Sequence, residues 1–254
     1  MPFTLSHAVL APPLAKLSGQ RLPIAALTIG CMLPDLHRLF TLRQDPTPHL
    51  WSALFYPNLF LGLMFCALWY LVYRPALYRF VGIHHPLNLN HATSVLGFIL
   101  VTIFSLLLGN ATHLIWDGLT HHDFRSFAFQ GFLAQSVQWG AQTYPMHRIL
   151  QIGSSILALP FLLWMSLHYY KKHRQVSSVS KKIRVYAIGL IILSIVCGGF
   201  SLWDYARYIP DATWQAELYY FTGRAINEFS QGALLMLSLG CLLFLILDSQ
   251  GRME

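Results

Sequence analysis

The sequence predicts an all-α membrane protein: a polytopic helical bundle of about five transmembrane helices, preceded by two short re-entrant or interfacial helices. Three observations predict it. Hydrophobic residues make up 55% of the 254-residue chain. Charged residues make up only 11%, against roughly a quarter in an average soluble domain. The apolar residues also fall in long runs, and a helix needs about 20 of them in succession to cross a bilayer. The chain reads as a single integral membrane domain over 1–254, with the short helices in 1–50 and the spans in 51–250.

Leu5–Leu17 and Leu22–Leu33 are apolar but short for a crossing. They read as re-entrant or interfacial helices, with one tilted span as the alternative. Pro34 is expected to end the second by disfavouring helical geometry at Leu33. The spans then fall at about Ser52–Tyr73, Thr93–Trp116, Leu150–Tyr170, Ile183–Trp203 and Gly232–Leu247, the last short and open to extension at its N-terminal side. The opening residues lack a basic n-region and a small-residue cleavage site, so no removable signal peptide is expected. Cys31, Cys66, Cys197 and Cys241 sit in apolar segments without CxxC spacing and read as small buried hydrophobes.

The net charge is +7 and the pI about 9.4. In a soluble chain that balance suggests nucleic acid. Here Lys171, Lys172, Arg174, Lys181, Lys182 and Arg184 crowd one loop, so membrane topology explains it better than a nucleic-acid partner. That loop is expected on the cytoplasmic side of a bacterial-type inner membrane. Alternation then puts Arg74–Asn90 and the C-terminus inside. The segment up to Leu50, including Lys16, Arg21, Arg38 and Arg43, falls outside, as do His121–Ile149 and Asp204–Gln231. Trp203, Tyr205, Tyr208, Trp214, Tyr219 and Tyr220 read as an interfacial aromatic belt.

Histidine is abundant, at 12 residues against 10 acidic ones. His7, Asp35 and His49 flank the short helices and the first span. His113 and Asp117 end the second span, which returns to the same face. Their i, i+4 spacing puts both on one helical face. Imidazole with carboxylate suits zinc foremost, and iron or manganese as well. The plainer alternative is a helix end whose polar residues meet lipid headgroups. Ionisable residues in spans are costly, however, and five meeting at one depth favour a metal site. His121, with His122 and Asp123 beside it, is a candidate for a further ligand, for a partner that supports one, or for a general acid, or else part of a wet loop. His37 and Arg38 lie near enough to Asp35 to meet an anionic substrate. His84, His85, His91, His147, His168 and His173 fall outside the expected site. Serine-nucleophile, P-loop and dinucleotide motifs are absent from the sequence.

The opening Met1-Pro2-Phe3-Thr4-Leu5-Ser6-His7, the run from Leu22 to Asp35, Thr112–His121 and Leu150-Gln151-Ile152-Gly153-Ser154-Ser155 together resemble a family of bacterial membrane proteins known as domain of unknown function 4184. The resemblance covers at least residues 1–165. That family in turn is similar to the membrane-bound metal-dependent hydrolases and, more distantly, to the zinc-dependent phospholipase C group. The resemblance implies a helical metal site holding an early histidine, an aspartate, a histidine before the next helix and an HxxxD pair. His7, Asp35, His49, His113 and Asp117 match that order. The soluble phospholipases close a three-metal site with a further HxxxE. His147 with Gln151 is the nearest match here and lacks the charge, so one or two ions are expected.

The leading expectation is thus a metal-dependent hydrolase at the outer face of the membrane. Its divalent cofactor would be held by His7, Asp35, His49, His113 and Asp117, with Asp35 and His121 as catalytic residues. The substrate would be a phosphoester of a lipid or a lipid-linked molecule, with membrane lipids as partners. The other expectation is a non-catalytic protein, an assembly factor or transporter, with a structural metal or none.

Overall fold

The computed structural model describes residues 4–41, 45–140, 142–175 and 179–253. Met1–Phe3 of the opening motif and Arg43 of the N-terminal basic set lie outside them. The architecture is all-α with one small hairpin. After a 3₁₀ turn over Thr4–Leu10 come α1 (Ala11–Leu17), α2 (Ile24–Gly30) and α3 (Leu33–Leu36). Among the described residues, five helices are long and apolar enough to cross a membrane: α4 (Trp51–Val81), α5 (Ala92–Thr120), α6 (Met146–His173), α7 (Lys181–Ala206) and α8 (Leu218–Ser249). Cys31, Cys66 and Cys241 are free and buried, as their apolar surroundings suggest.

The helices exceed their expected bounds for physical reasons. α4 runs past Tyr73 because a π-helical stretch over Trp69–Tyr73 leads directly into α-helix over Arg74–Val81, with Pro75 in the first turn of that last stretch. Near its start α4 is broken at Tyr56 (φ −139°, ψ 126°), immediately before Pro57. α8 begins at Leu218 rather than near Gly232, so much of the expected Asp204–Gln231 loop is helical. The charges that interrupt its apolar pattern, Arg224 and Glu228, pair one turn apart at 3.0 Å.

Two further expectations are corrected. Pro34 does not end α2; that helix closes at Gly30, and Pro34 sits in the first turn of α3. The His121–Ile149 segment is not all loop. Ser136–Trp139 and Gln142–Pro145 pair as antiparallel strands, and α6 starts at Met146.

The chain divides into two compact units. The first comprises Met1–Cys66 and Pro86–Lys172. Its axis is α5, which is polar within and apolar without. Thr102, Ser105, Asn110, His113 and Asp117 are buried, while Val95, Leu96, Ile99, Leu100 and Phe104 are exposed. A soluble helix would have the reverse polarity. α2 packs along α5 where two glycines meet. A Cβ on Gly109 would lie 2.5 Å from the Leu27 carbonyl oxygen, and one on Gly30 would lie 2.7 Å from that of Leu106. Small residues allow this approach, as at many membrane helix crossings. Asn58, fully buried in α4, donates to the Pro48 carbonyl at 2.8 Å and lies 3.4 Å from the Asn110 side-chain oxygen. These contacts hold the N-terminal segments against the C-terminal half of α5.

The second unit comprises Ala67–His85 and His173–Glu254. α7 and α8 pack closely, with Gly198 against the Phe229 carbonyl and Gly232 against that of Cys197. Ala76, Ile183, Leu190, Cys241 and Phe244 form its core. Arg79 grips Asp248 with two hydrogen bonds, at 2.9 and 3.2 Å.

Candidate metal centre

Four separate elements of the first unit deliver ionisable side chains to one point. The 3₁₀ turn over Thr4–Leu10 supplies His7, and α3 supplies Asp35. A 3₁₀ turn over Thr47–His49, set by Pro46 and Pro48, supplies His49. α5 supplies His113 and Asp117, and His121 caps its C-terminus. All six are buried, none more than 7% exposed. Burial of so many ionisable groups would be prohibitive unless they satisfied one another or a ligand.

Imidazoles and carboxylates alternate around the cluster. Asp35 Oδ1 lies 3.4 Å from His49 Nε2, and His49 Nε2 lies 3.7 Å from Asp117 Oδ2. Asp117 Oδ1 is 3.7 Å from His7 Nε2, and Asp117 Oδ2 is 3.5 Å from His113 Nε2. These separations are long for hydrogen bonds. They match the edges of a coordination polyhedron, about 3.3 Å for four ligands at zinc distances. Two triads, His7–Asp35–His113 and His49–His113–Asp117, each bring their ligand atoms within 4.8 Å of one another.

The second nitrogen of two histidines is already committed. His113 Nδ1 lies 2.8 Å from the Cys31 carbonyl oxygen. A carbonyl can only accept, so Nδ1 carries the proton and Nε2 keeps its lone pair. His121 Nδ1 is held likewise, 3.1 Å from the Asp117 carbonyl. A backbone carbonyl orienting the far nitrogen is the usual support for a metal-ligating histidine. Thr4 donates to Asp35 Oδ2 at 2.9 Å. Within the described residues, buried His7 Nε2, Asp35 Oδ1, His49 Nε2, His113 Nε2, Asp117 Oδ1 and His121 Nε2 have no hydrogen-bond partner. Orphaned buried acceptors facing one another fit a cation among them.

Electrostatics outside the spans support the same protonation states. Burial, reinforced by the nearby His113, pushes the His7 pKa down to about 3. Burial likewise lowers His121 to about 4, although Asp117 opposes it. Both are therefore neutral, lone-pair-bearing imidazoles at pH 7. Burial alone would raise the pKa of Asp35. Arg38 and His49 outweigh it and hold the carboxyl well below its ordinary range.

The model of the family described as Domain of unknown function (DUF4184) matches residues 1–243. The chain belongs to the DUF4184 family. The match extends well past residue 165, into α8. No curated protein and no solved structure matches the chain.

In this DUF4184 chain all five residues expected as metal ligands meet, and His121 stands beside them. His147 and Gln151 do not join the cluster. His147 stacks on His122 at 5.9 Å, and Gln151 donates to the Thr120 carbonyl at 3.0 Å. His85 and His173 stack on each other in the second unit. One participant was not foreseen. Arg125 places Nη1 3.0 Å from Asp117 Oδ2 and binds Asp123 with its Nε and Nη2. Its sequence signal is faint: an Asp-x-Arg step in a polar loop.

Proposed function

We propose that this protein is a membrane-embedded metal-dependent hydrolase. His7, Asp35, His49, His113 and Asp117 hold one divalent ion, zinc foremost, and iron or manganese as the other candidates. The observation that carries the reading is the convergence of five buried, unpartnered ligand atoms from four elements on one point. One ion is favoured over two, because both triads draw on the single free nitrogen of His113. A divalent ion at such a site supplies Lewis acidity toward a phosphoryl or carbonyl oxygen and makes water more acidic.

The chain's own groups supply the rest. His121 is neutral at pH 7, its Nδ1 lies 3.4 Å from Asp117 Oδ1, and its Nε2 is buried without a partner. It is the group best placed to accept a proton as general base. Asp35, held by Thr4 and Arg38, serves as a ligand rather than as a proton acceptor. The cluster sits near the end of a spanning helix whose outer face is apolar, so the reading takes a phosphoester on a lipid or lipid-linked substrate at headgroup depth. The basic loop between α6 and α7 supports a cytoplasmic position for that loop and the outer face for the cluster. An inner-membrane location belongs to the same proposal.

The near-complete burial of the cluster favours a second reading, a structural ion in a non-catalytic protein. Catalytic sites keep a coordination position open, and structural ones are closed. His121→Ala separates the two. The variant is expected to retain its ion while kcat on a chromogenic phosphodiester or phospholipid vesicles falls about 100- to 10,000-fold. A wild type that holds its ion yet turns over no phosphoester would leave the structural reading standing.

A further inference from the structure

Asp117 is the hub of the cluster. Its Oδ2 faces His49 and His113, and its Oδ1 faces His7 and His121. That division depends on the rotation of the carboxylate about its last torsion. For aspartate this torsion is broad, so the side chain alone does not fix it. None of the four imidazoles fixes it through a short contact either, since the nearest lies at 3.4 Å. The one close hydrogen bond to the Asp117 carboxylate among the described residues comes from Arg125 Nη1, at 3.0 Å on Oδ2.

Arg125 is itself held in place. Asp123 binds its Nε through Oδ1 at 2.9 Å, and Oδ2 engages its Nη2 as well. The backbone N–H of Arg125 also donates to Asp123 Oδ1, at 3.0 Å. Ser126 closes the turn by donating to the His121 carbonyl. Gly118 seats the loop on α5. A Cβ there would lie 2.1 Å from the Phe127 ring and 3.1 Å from the Arg125 carbonyl. The Arg125 side chain is only 12% exposed. A planar fork spanning two carboxylates in this way is a geometry that lysine cannot reproduce.

We infer that Arg125 is a positioning residue that sets the rotation of the Asp117 carboxylate, with Asp123 and the Gly118–Phe127 contact holding Arg125 in register. The inference rests on the metal-centre reading. It adds that the affinity and ligand geometry of the site depend on a residue that touches no ion. Loss of the fork frees Asp117 to rotate, and the His49–His113–Asp117 triad then loses the orientation of its carboxylate.

The test uses the full chain in detergent and Co²⁺ as the probe, read by titration and by its visible ligand-field bands. Arg125→Gln is expected to weaken Co²⁺ binding by about 10- to 100-fold, the usual effect of losing a group that orients a ligand. Its bands should shift at saturation. Arg125→Lys keeps the charge without the fork and should resemble Gln more than wild type. Gly118→Ala leaves Arg125 chemically intact but lifts its loop, and should shift the bands in the same direction. It also keeps the test informative if an Arg125 variant folds poorly. Wild-type affinity and bands in Arg125→Gln, or full recovery by lysine, would overturn the positioning role. A wild type that binds no Co²⁺ at all would instead remove the metal-centre reading, and this inference with it.

Discussion

Asp117→Asn is expected to abolish metal binding and to lower thermal stability by about 3–5 kcal/mol, the usual cost of breaking a buried charged pair from one side. Asparagine preserves the volume of the side chain, so the effect is one of charge and lone pairs. The native carboxylate faces His7, His49, His113 and His121 and accepts from Arg125. With asparagine, an amide N–H₂ must point either at imidazole lone pairs or at the Arg125 guanidinium. Arg125, 12% exposed, also loses one of its two counter-charges. Metal content by elemental mass spectrometry and the unfolding midpoint in detergent check both halves. Wild-type metal content in this variant would mean that Asp117 is not a ligand.

Gly109→Ala is the second large expected effect, and it acts from outside the cluster. The added methyl would sit 2.5 Å from the Leu27 carbonyl oxygen and 2.7 Å from the Cys31 amide nitrogen. Both obstacles are backbone, so α2 must move away from α5 rather than a side chain swing aside. Overpacking of this kind typically costs about 1–3 kcal/mol. The displacement also carries the Cys31 carbonyl away from His113 Nδ1, now 2.8 Å distant, and moves the chain leading into Asp35. Reduced metal affinity should therefore accompany the lower midpoint. Gly97→Ala is the matched control, on the same helix with nothing near its added Cβ, and it should change neither. An unaffected midpoint in Gly109→Ala would show that the α2–α5 contact is looser than described.

The spans were legible because a membrane helix announces itself by length and apolarity alone. α5 and α7 lie within a few residues of their expected ends. α8 extends in the N-terminal direction that its short apolar run leaves open; Arg224 and Glu228 interrupt the apolar pattern there and pair with each other one turn apart. The strands over Ser136–Trp139 and Gln142–Pro145 are four residues each. That length is too short to establish an alternation, and the turn at Gly140 (φ +62°) lies in an ordinary polar stretch. Pro34 was misjudged because proline disfavours helix before itself yet suits the first turn of a helix.

The cluster was legible for a different reason. His7, Asp35, His49, His113 and Asp117 are ionisable residues in or beside apolar sequence, where each is costly and calls for a partner. Arg125 and Thr4 carry no such signal, because a single basic residue in a loop or a single hydroxyl near a terminus is unremarkable until the chain folds. The Cys31 carbonyl that orients His113 is backbone, and no residue type betrays it.

The most direct test of the metal centre is the metal content of the wild-type chain, purified in detergent without chelator and measured by elemental mass spectrometry. About one zinc, iron or manganese ion per chain is expected, because both candidate triads draw on the single free nitrogen of His113. A folded chain that carries no ion, and takes up none when these metals are added, would contradict it.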